Sequence, residues 1–328
     1  MKAIVYNKYG AADVLHVTDI EKPQPKDNEV LIKVHSAEVT KSDCEMRSFN
    51  FAVKWFWLPL RLAWGLFKPK RKVLGGYFSG EIEGVGKDVT NLVVGDKVFG
   101  CTQVRFGAYG EYLCLPDNYT IVKKPGNMSY EEAAAVPLGG LNALHFMRKA
   151  NIKEGDTVLI NGAGGSIGIF AIQIAKELGA EVTAVDSSIK ETMLRQLGVD
   201  YFIDYTQENV AEQGETYDVI FNMVANSRYS DFINILNSNG RYLMGNPKLV
   251  DMLRSVVTCR FTDKTAMFSF AGEKKEELIT LRTMIEAGKI RSVTDKIYSI
   301  NNIVQAHQRV EAEQRIGIVV LSFDLDKT

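Results

Sequence analysis

The stretch that decides the fold is Thr157-Val158-Leu159-Ile160-Asn161-Gly162-Ala163-Gly164-Gly165-Ser166-Ile167-Gly168. Its apolar beginning predicts a buried strand. After the glycines, apolar residues recur at the spacing of an amphipathic helix, at Ile167, Ala171, Ile174 and Leu178. The glycines therefore lie between a strand and a helix. Such a turn lets the backbone approach a phosphate closely, and the helix N-terminus directs backbone N–H groups toward it.

The glycine spacing departs from G-x-G-x-x-G, because Ile167 stands where the last glycine would be. The glycines form G-x-x-G-x-x-G instead, at Gly162, Gly165 and Gly168. A turn of this kind also occurs in strand–helix connections that bind nothing. The next predicted strand, 181–185, ends at Asp186, about 20 residues past the turn, where a ribose-binding carboxylate is expected. This context favours a dinucleotide site.

Composition excludes several classes of protein. The chain has 328 residues, enough for two domains, and its 39 basic and 40 acidic residues leave no global field that attracts nucleic acid. The four cysteines are far apart, which predicts neither a disulfide framework nor a zinc knuckle and fits a cytoplasmic location. No signal peptide and no apolar run long enough to span a bilayer are recognised.

Strands and turns dominate the beginning of the chain, and strands alternate with helices later. Short strands separated by Gly and Pro turns fill residues 1–124, with a short helix after residue 41 that Ser42 or Asp43 would cap. Ser129-x-x-Glu132 is a capping box, and Gly139 is read as the start of another helix. The predicted strands that follow predict a parallel sheet: 157–161, 181–185, 201–205, 217–224, 240–245 and a sixth near 266–270.

The segment 49–72 is unusual, because it holds all three tryptophans and ends in a basic run. Three interpretations are open. It is a helix packed on the core or on a second subunit, an apolar lid over a substrate pocket, or a helix lying on a membrane surface. The first interpretation is favoured over the lid, and membrane contact is the least favoured.

The ordered motifs resemble the medium-chain dehydrogenase/reductase superfamily over essentially the whole chain. They are Gly80…Gly86…Gly95-Asp96-Lys97-Val98, Gly107-Ala108-Tyr109-Gly110, Gly139-Gly140-Leu141-Asn142, the Gly162–Gly168 turn, and Leu197-Gly198-Val199-Asp200. The resemblance implies an α/β protein with a GroES-like β-domain and a Rossmann domain with a doubly wound parallel sheet. The domains are expected at 1–124 with 264–328 and at 125–263, with the active site in the cleft.

The resemblance also bears on metal binding. Zinc-dependent members carry a Cys in the segment equivalent to 40–47 and a Gly-His-Glu motif, which reads Gly75-Gly76-Tyr77 here. Cys44 alone does not make a tetrahedral site. The chain is therefore expected to bind no metal and to resemble the zinc-free quinone oxidoreductase and enone reductase branch. The catalytic candidates that the resemblance implies are Thr40, Lys41, Asp43 and Tyr77.

The expected cofactor is NADPH or NADH. Pyrophosphate-binding residues are predicted at the glycine turn, in Gly162, Gly165, Ser166, Ile167 and Gly168, and Asn142 and Tyr205 match family positions near the cofactor. Asp186 favours NAD, because a carboxylate accepts from both ribose hydroxyls and repels a 2′-phosphate. Ser187, Ser188 and Lys190 favour NADPH, and the preference leans to NADPH.

The predicted function is reduction of quinones or α,β-unsaturated carbonyls by hydride transfer without zinc. Two alternatives stay open. One is an alcohol or aldehyde dehydrogenase of the same superfamily, and the other is a non-catalytic dinucleotide-binding or membrane-associated protein. The expected partner is a small molecule, a quinone, enone or aldehyde, and a homodimer is expected.

Overall fold

The structure is a computed structural model that describes residues 1–51, 57–269 and 272–325. The chain divides into two compact units. The first unit contains Met1–Leu138, Glu273–Gly288 and Ser292–Thr328. The second contains Gly139–Gly272 and Lys289–Arg291.

In its described residues, the first unit begins with strands and helices that alternate irregularly. Its strands are β1 (Lys2–Val5), β2 (His16–Asp19), β3 (Glu29–Val39), β4 (Tyr77–Val85), β5 (Lys97–Cys101), β6 (Tyr112–Pro116) and β7 (Ile121–Lys123). Its helices are α1 (Lys41–Ser48), α2 (Trp57–Trp64), α3 (Tyr130–Ala134) and α4 (Pro137–Ala150), the last of which continues into the second unit.

The second unit is built on a parallel sheet. Its strands are β8 (Thr157–Asn161), β9 (Glu181–Asp186), β10 (Tyr201–Asp204), β11 (Tyr217–Asn222), β12 (Leu236–Met244) and β13 (Thr265–Phe268). Between them lie α5 (Ser166–Glu177), α6 (Glu191–Gln196), α7 (Tyr229–Asn234) and α8 (Leu249–Phe261). The spatial order is β10-β9-β8-β11-β12-β13, which is the doubly wound Rossmann order.

The chain then returns to the first unit with α9 (Lys275–Glu286), β14 (Thr294–Ser299), α10 (Ile303–Glu311) and β15 (Ile318–Ser322). These last strands complete a sheet of order β14-β15-β3-β4-β5-β7, with β6 paired to β3. Its core joins residues from both ends of the chain, including Ile4, Ile32, Phe78 and Val319. A GroES-like unit and a Rossmann unit are thus both present.

Several predicted boundaries differ from the structure. The sixth strand belongs to the Rossmann sheet, because β13 pairs in parallel with β12, so residues 264–272 lie in the second unit and not in the first. Residues 125–138 lie in the first unit. α4 begins at Pro137, which needs no N–H in the first turn, and not at Gly139.

The predicted helix ends of the first unit have mixed outcomes. The capping box at Ser129 and Glu132 is confirmed. The N-cap of α1 is Thr40 and not Ser42 or Asp43, because Asp43 is the residue whose side chain reaches back to the Thr40 backbone N–H. The predicted helix in 49–67 is confirmed at α2, whereas residues 52–56 lie outside the described residues.

No helix in the described part of the chain is long and apolar enough to cross a membrane.

Candidate functional site

The glycine turn connects β8 to α5 at the carboxyl end of the parallel sheet. Gly162 has a φ of 84°, a left-handed conformation that favours glycine, and its N–H donates to the Val185 carbonyl oxygen at 3.1 Å. A Cβ on Gly168 would lie 2.3 Å from the Ala163 carbonyl oxygen. The helix can therefore approach the strand this closely only because residue 168 lacks a side chain.

The N-terminus of α5 is suited to an anion. Gly165 is the N-cap and contributes no side-chain hydrogen bond, and the first turn contains no acidic residue. The first-turn N–H groups of a helix lack intrahelical partners, and the helix dipole places partial positive charge there. Gly162, Gly165, Ser166, Ile167 and Gly168 are therefore brought together as predicted from the sequence.

Asp186 at the end of β9 is engaged within the protein. Its Oδ2 accepts from the Gly164 N–H at 2.7 Å, and its Oδ1 accepts from the Ser187 N–H and the Lys190 ammonium at 2.8 Å each. Both Asp186 and Lys190 are buried. Three of about four acceptor positions of the carboxylate are used. The role of Asp186 toward the ribose hydroxyls stays a prediction, and in this arrangement the carboxylate also holds the turn together.

Tyr205 and Asn142 take different positions around this turn. The Tyr205 N–H donates to the Asp186 carbonyl oxygen at 3.3 Å, and its side chain is 61% exposed. Asn142 lies on α4, three residues after Gly139, whose Cβ would be 2.3 Å from the Ser166 carbonyl oxygen. Since residues three apart share a helix face, Asn142 is on the side of α4 that meets the beginning of α5.

Two asparagines that the sequence reading missed mark the switch point of the sheet. β8 and β11 are neighbours at the place where the strand order reverses, and each ends in an asparagine. The Asn161 amide donates to the Asn222 side-chain oxygen at 2.9 Å, and both residues are buried. Nucleotides bind at such switch points. The available signal was weak: Asn161 ends the predicted strand 157–161, whereas Asn222 lies inside the predicted strand 217–224.

In the first unit, Thr40 and Asp43 form one hydrogen-bonded cluster. Asp43 Oδ2 accepts from the Thr40 N–H at 3.1 Å and from the Thr40 hydroxyl at 2.6 Å. Its Oδ1 accepts from the Gly75 N–H at 3.1 Å. Asp43 is 1% exposed, and burial raises the pKa of its carboxyl, although the hydrogen bonds from Thr40 oppose this. Asp43 thus ties α1 to the chain before β4 and is a positioning residue.

Tyr77 lies in a second cluster with a residue that the sequence did not indicate. Its hydroxyl donates to Glu273 Oε1 at 2.8 Å. Burial raises the pKa of the Tyr77 hydroxyl well above its usual value, and the Glu273 charge adds to the rise. Burial also raises the pKa of Glu273, although the hydrogen bond from Tyr77 opposes this. The two residues are 196 positions apart in the chain, so no local sequence pattern could have predicted their contact.

Other side chains surround this pair. Tyr77 is the register partner of Cys101 on β5, and burial raises the pKa of the Cys101 thiol well above its usual range. Glu38 on β3 is fully buried, and its charge also raises the pKa of Tyr77. The Tyr77 hydroxyl is thus protonated at neutral pH.

Lys41 is not part of either cluster. It is exposed and forms an ion pair with Glu313 at the surface. Exposed pairs of this kind contribute little to stability. The catalytic role of Lys41 stays a prediction, and its observed partner is Glu313 at the surface.

Cys44 and His307 are buried in the core of the first unit. The Cys44 sulfur lies 3.3 Å from His307 Nδ1, and Arg47 and the Tyr109 hydroxyl lie 3.2 and 3.4 Å from the ring nitrogens. Burial and, to a smaller extent, the Arg47 charge together lower the pKa of His307 to about 3. Among the described residues, no three His, Cys, Asp or Glu side chains are arranged to hold a metal ion.

Comparisons with known proteins identify relatives of both units. A family profile described as an alcohol dehydrogenase GroES-like domain matches residues 26–126, and one described as a zinc-binding dehydrogenase matches residues 197–321. Quinone oxidoreductase of Sus scrofa is 31% identical over 325 residues, which cover 94% of each chain. The 2-methylene-furan-3-one reductase of Solanum lycopersicum is 28% identical and covers 98% of this chain and 79% of its own length. The solved quinone oxidoreductase of Coxiella burnetii superposes with a TM-score of 0.86 at 29% identity, covering 98% and 99% of the two chains.

Proposed function

The chain belongs to the medium-chain dehydrogenase/reductase superfamily, in its quinone oxidoreductase-like branch, and we propose that it reduces quinones or α,β-unsaturated carbonyls without zinc. It is an NAD(P)-dependent oxidoreductase that acts on a small molecule. The observation that carries the proposal is the glycine turn at the N-terminus of α5, beside the switch point of a Rossmann sheet. Such a site takes a dinucleotide and not a lone metal or a peptide.

The glycine turn is the proposed pyrophosphate site. Gly162 and Gly165 shape the turn, and Ser166, Ile167 and Gly168 supply the N–H groups of the first helical turn. Asn142 and Tyr205 are the proposed flanking contacts. The bound nicotinamide supplies the hydride, and the turn holds the dinucleotide at one end so that its reactive ring is confined.

NADPH is the proposed preference over NADH. The ion pair with Lys190 neutralises Asp186, which removes the repulsion that a free carboxylate would exert on a 2′-phosphate. Ser187 is the next residue. Its backbone N–H donates to the Asp186 carboxylate, and its hydroxyl lies in the turn that follows β9. A cation and a hydroxyl at this place suit an additional phosphate.

Zinc independence is proposed from the residues at the expected ligand positions. In the segment 40–47, where zinc-dependent relatives have Cys, this chain has Cys44, but Gly75-Gly76-Tyr77 stands for Gly-His-Glu. Glycine and tyrosine are not the ligands that zinc takes, and one thiol does not make a tetrahedral site. The family profile that matches residues 197–321 is described as a zinc-binding dehydrogenase. That match does not cover the expected ligand positions, which are the basis for zinc independence.

Tyr77 is the proposed proton donor, with Glu273 as its partner. Hydride transfer to an enone or quinone leaves negative charge on the substrate, which must take up one proton. The Tyr77 hydroxyl gives this proton and regains it from solvent through the Glu273 carboxyl, whose pKa burial raises. Thr40 provides a second hydroxyl, fixed in place by Asp43. Lys41 has no proposed role.

The test is a substrate screen with purified protein, in which oxidation of NADPH and NADH is followed by absorbance. Quinones and enones should be reduced, NADPH should be used at lower concentration than NADH, and a strong zinc chelator should leave the rate unchanged. Reduction of NAD(P)⁺ by alcohols without reaction of enones would overturn the proposal in favour of an alcohol dehydrogenase. Loss of activity in the chelator would overturn zinc independence.

A homodimer is proposed from the surface of the second unit. Helix α8 exposes an apolar stripe at about helical spacing: Leu249, Val250, Leu253, Val256, Val257 and Phe261. The stripe lies beside β13, the last strand of the sheet, whose Phe268 is also exposed. A continuous apolar face on one helix suits a second copy related by twofold symmetry, since each copy then covers the same face of the other.

A further inference from the structure

Residues 49–72 form an acid-free segment with a charge unlike that of the rest of the chain. The segment contains six of the 39 basic residues and none of the 40 acidic ones. The remainder of the chain therefore carries 33 basic against 40 acidic residues. Residues 49–72 are therefore a part of the chain that an anionic surface would attract.

Helix α2 in this segment is anchored to the first unit by one of its sides. The Arg61 guanidinium stacks over the rings of Tyr9 and Phe49, at 4.1 and 4.4 Å from their centroids. Trp64 packs against the core, and the Tyr9 hydroxyl donates to the Gly65 carbonyl oxygen at 2.9 Å. These contacts determine which side of the helix faces away from the protein.

The opposite side of α2 and the turn after it are apolar and exposed. Leu58 is 58% exposed and Leu62 61% exposed, and Leu66 and Phe67 directly after the helix are 47% and 87% exposed. A contiguous exposed apolar face is normally covered by another protein surface or by a membrane. The described part of this chain covers only the inner side of α2.

Basic side chains follow this apolar face in the chain. Lys68, Lys70, Arg71 and Lys72 are all exposed. The Lys70 backbone N–H donates to the Trp64 carbonyl oxygen at 2.8 Å, and its ammonium donates to the Leu62 carbonyl oxygen at 3.3 Å. These bonds fold the basic run back toward the helix and place the Lys70 ammonium at the carbonyl oxygen of an exposed leucine.

We propose that this face, formed by residues 57–72, docks the protein on the surface of an anionic lipid bilayer. Leu58, Leu62, Leu66 and Phe67 would enter the boundary between head groups and acyl chains, as interfacial apolar residues do. The basic residues would lie at the level of the lipid phosphates, where each contributes to attraction by anionic lipid. The negative remainder of the chain faces the aqueous side. The contact is peripheral, since no described helix spans a bilayer.

This inference does not rest on the proposed reaction. None of the residues of the docking face belongs to the glycine turn or to the clusters around Asp43 and Tyr77. Docking can therefore be measured on the full chain without cofactor or substrate.

The experiment measures co-sedimentation of the full chain with vesicles of phosphatidylcholine alone and with vesicles containing phosphatidylglycerol. Binding is expected only to the anionic vesicles, and it should weaken at high salt because the attraction is screened. The double variant Leu62→Glu, Phe67→Glu and the double variant Lys68→Glu, Arg71→Glu should each lower the partition coefficient at least about tenfold.

Matched variants separate this face from general effects of charge. Val94→Glu changes an apolar side chain that is 60% exposed elsewhere, and Lys149→Glu with Lys153→Glu reverses two exposed charges on the second unit. Both should bind anionic vesicles as the parent does. Absence of binding to anionic vesicles, or equal loss in the matched variants, overturns the proposal. A changed oligomeric state in Leu62→Glu, Phe67→Glu without vesicle binding by the parent would assign the face to a second copy, and a raised KM without such binding would assign it to a lid.

Discussion

Tyr77 and Glu273 show how one hydrogen bond changes the meaning of a residue. Alone, Tyr77 is a side chain at a position where relatives hold a metal ligand. With its hydroxyl 2.8 Å from a half-buried carboxylate, it becomes a group that can give up a proton and recover it. Asp43 is the opposite case. Its carboxylate already accepts three hydrogen bonds within the protein, so it positions its neighbours and does not itself exchange a proton with substrate.

Replacement of Tyr77 by Phe tests the proton-donor role. We expect Tyr77→Phe to lower kcat about 100-fold, the loss typical of a missing general acid, with NADPH affinity unchanged. Glu273→Gln should lower kcat less and shift the pH profile of kcat. Tyr112→Phe is the matched control, because its hydroxyl also contacts a glutamate, Glu83, but at the surface. Stopped-flow turnover and fluorescence titration give the two quantities, and equal kcat in Tyr77→Phe and the parent would contradict the role.

Replacement of Lys190 tests the cofactor preference. We expect Lys190→Met to raise the Kd for NADPH about tenfold or more, since a charge-assisted contact is lost and Asp186 is left unpaired. The Kd for NADH should change less than about twofold. Lys153→Met, an exposed lysine of the same unit, is the control. Equal changes for the two cofactors in Lys190→Met would show that the lysine only supports the turn.

His307 predicts a dependence of stability on pH. Burial lowers its folded-state pKa to about 3, whereas an unfolded histidine titrates near 6.5. Below the unfolded value the unfolded chain binds a proton that the folded chain refuses, so stability present above pH 6.5 is lost as pH falls. The loss is about 1.4 kcal/mol per pH unit, or about 2 kcal/mol between pH 7 and pH 5.

Urea unfolding at these two pH values measures the effect. The variant His307→Gln should lack this contribution, and the carboxylates, which titrate in both proteins, cancel in the comparison. The charged or titratable neighbours of the ring are Cys44, Arg47 and Tyr109. An identical loss of stability in parent and variant would show that His307 does not titrate in this range.

The connection from β8 through the glycine turn to α5 is the element on which the second unit depends. A Cβ on Gly168 would lie 2.3 Å from the Ala163 carbonyl oxygen and 2.6 Å from that of Gly162, and both atoms belong to the backbone. Neither can move without shifting the helix. A methyl group at residue 168 would therefore displace α5 from the turn, and the cost would be borne by the whole strand–turn–helix element.

We expect Gly168→Ala to lower the free energy of unfolding by about 2 kcal/mol, within the usual range for overpacking. NADPH binding should weaken at the same time, because the displaced helix carries the pyrophosphate-binding N–H groups. Gly126→Ala is the control, since a Cβ there meets no atom within 4 Å. Calorimetry with and without NADPH measures both effects, and unchanged binding in Gly168→Ala would contradict the assigned site.

Local elements of this fold were largely predictable, whereas contacts between distant parts of the chain were not. Strand β8, the glycine turn and α5 have strong local signals, and the predicted 157–161 strand matches the structure at both ends. Strand β12 begins at Leu236 and not at residue 240, because pairing with β11 extends it over a bulge that has no pattern in the sequence. Glu273 was missed because its significance comes only from its hydrogen bond with Tyr77. The contacts of Asp186 with Gly164 and Lys190 were not predicted either, because they form only in the folded chain.

The exposed apolar residues of α2 and those of α8 have different charged neighbours along the chain. The segment 49–72 has basic residues and no acidic ones, whereas Arg254 on α8 is paired with Asp251, which is buried. This contrast is the reason that the first is assigned to an anionic lipid surface and the second to another copy of the chain. A cytoplasmic location remains a prediction from the sequence.

The homodimer is tested at the scale of the assembly. We expect the parent protein to have twice the 36.6 kDa mass of the chain by light scattering, and Leu253→Glu to reduce it to the monomer mass, since Leu253 is 70% exposed in the middle of the stripe. Leu62→Glu, which changes a leucine on α2 that is 61% exposed, should leave the dimer intact. A monomeric parent, or dissociation by Leu62→Glu alone, would contradict the assignment of α8.

Cys259 gives the outer strand of the Rossmann sheet an unusual protection. Its sulfur accepts from the Ala266 N–H and donates to the Ala266 carbonyl oxygen, both at 3.3 Å, so one thiol occupies backbone groups with which a foreign strand would pair. Exposed strand edges are templates for aggregation, and proteins usually block them with charge, proline or a covering loop. Here the block is a group that oxidants and electrophiles modify. The shelf life of this protein in solution should therefore depend on whether a reductant is present, independently of any effect on its activity.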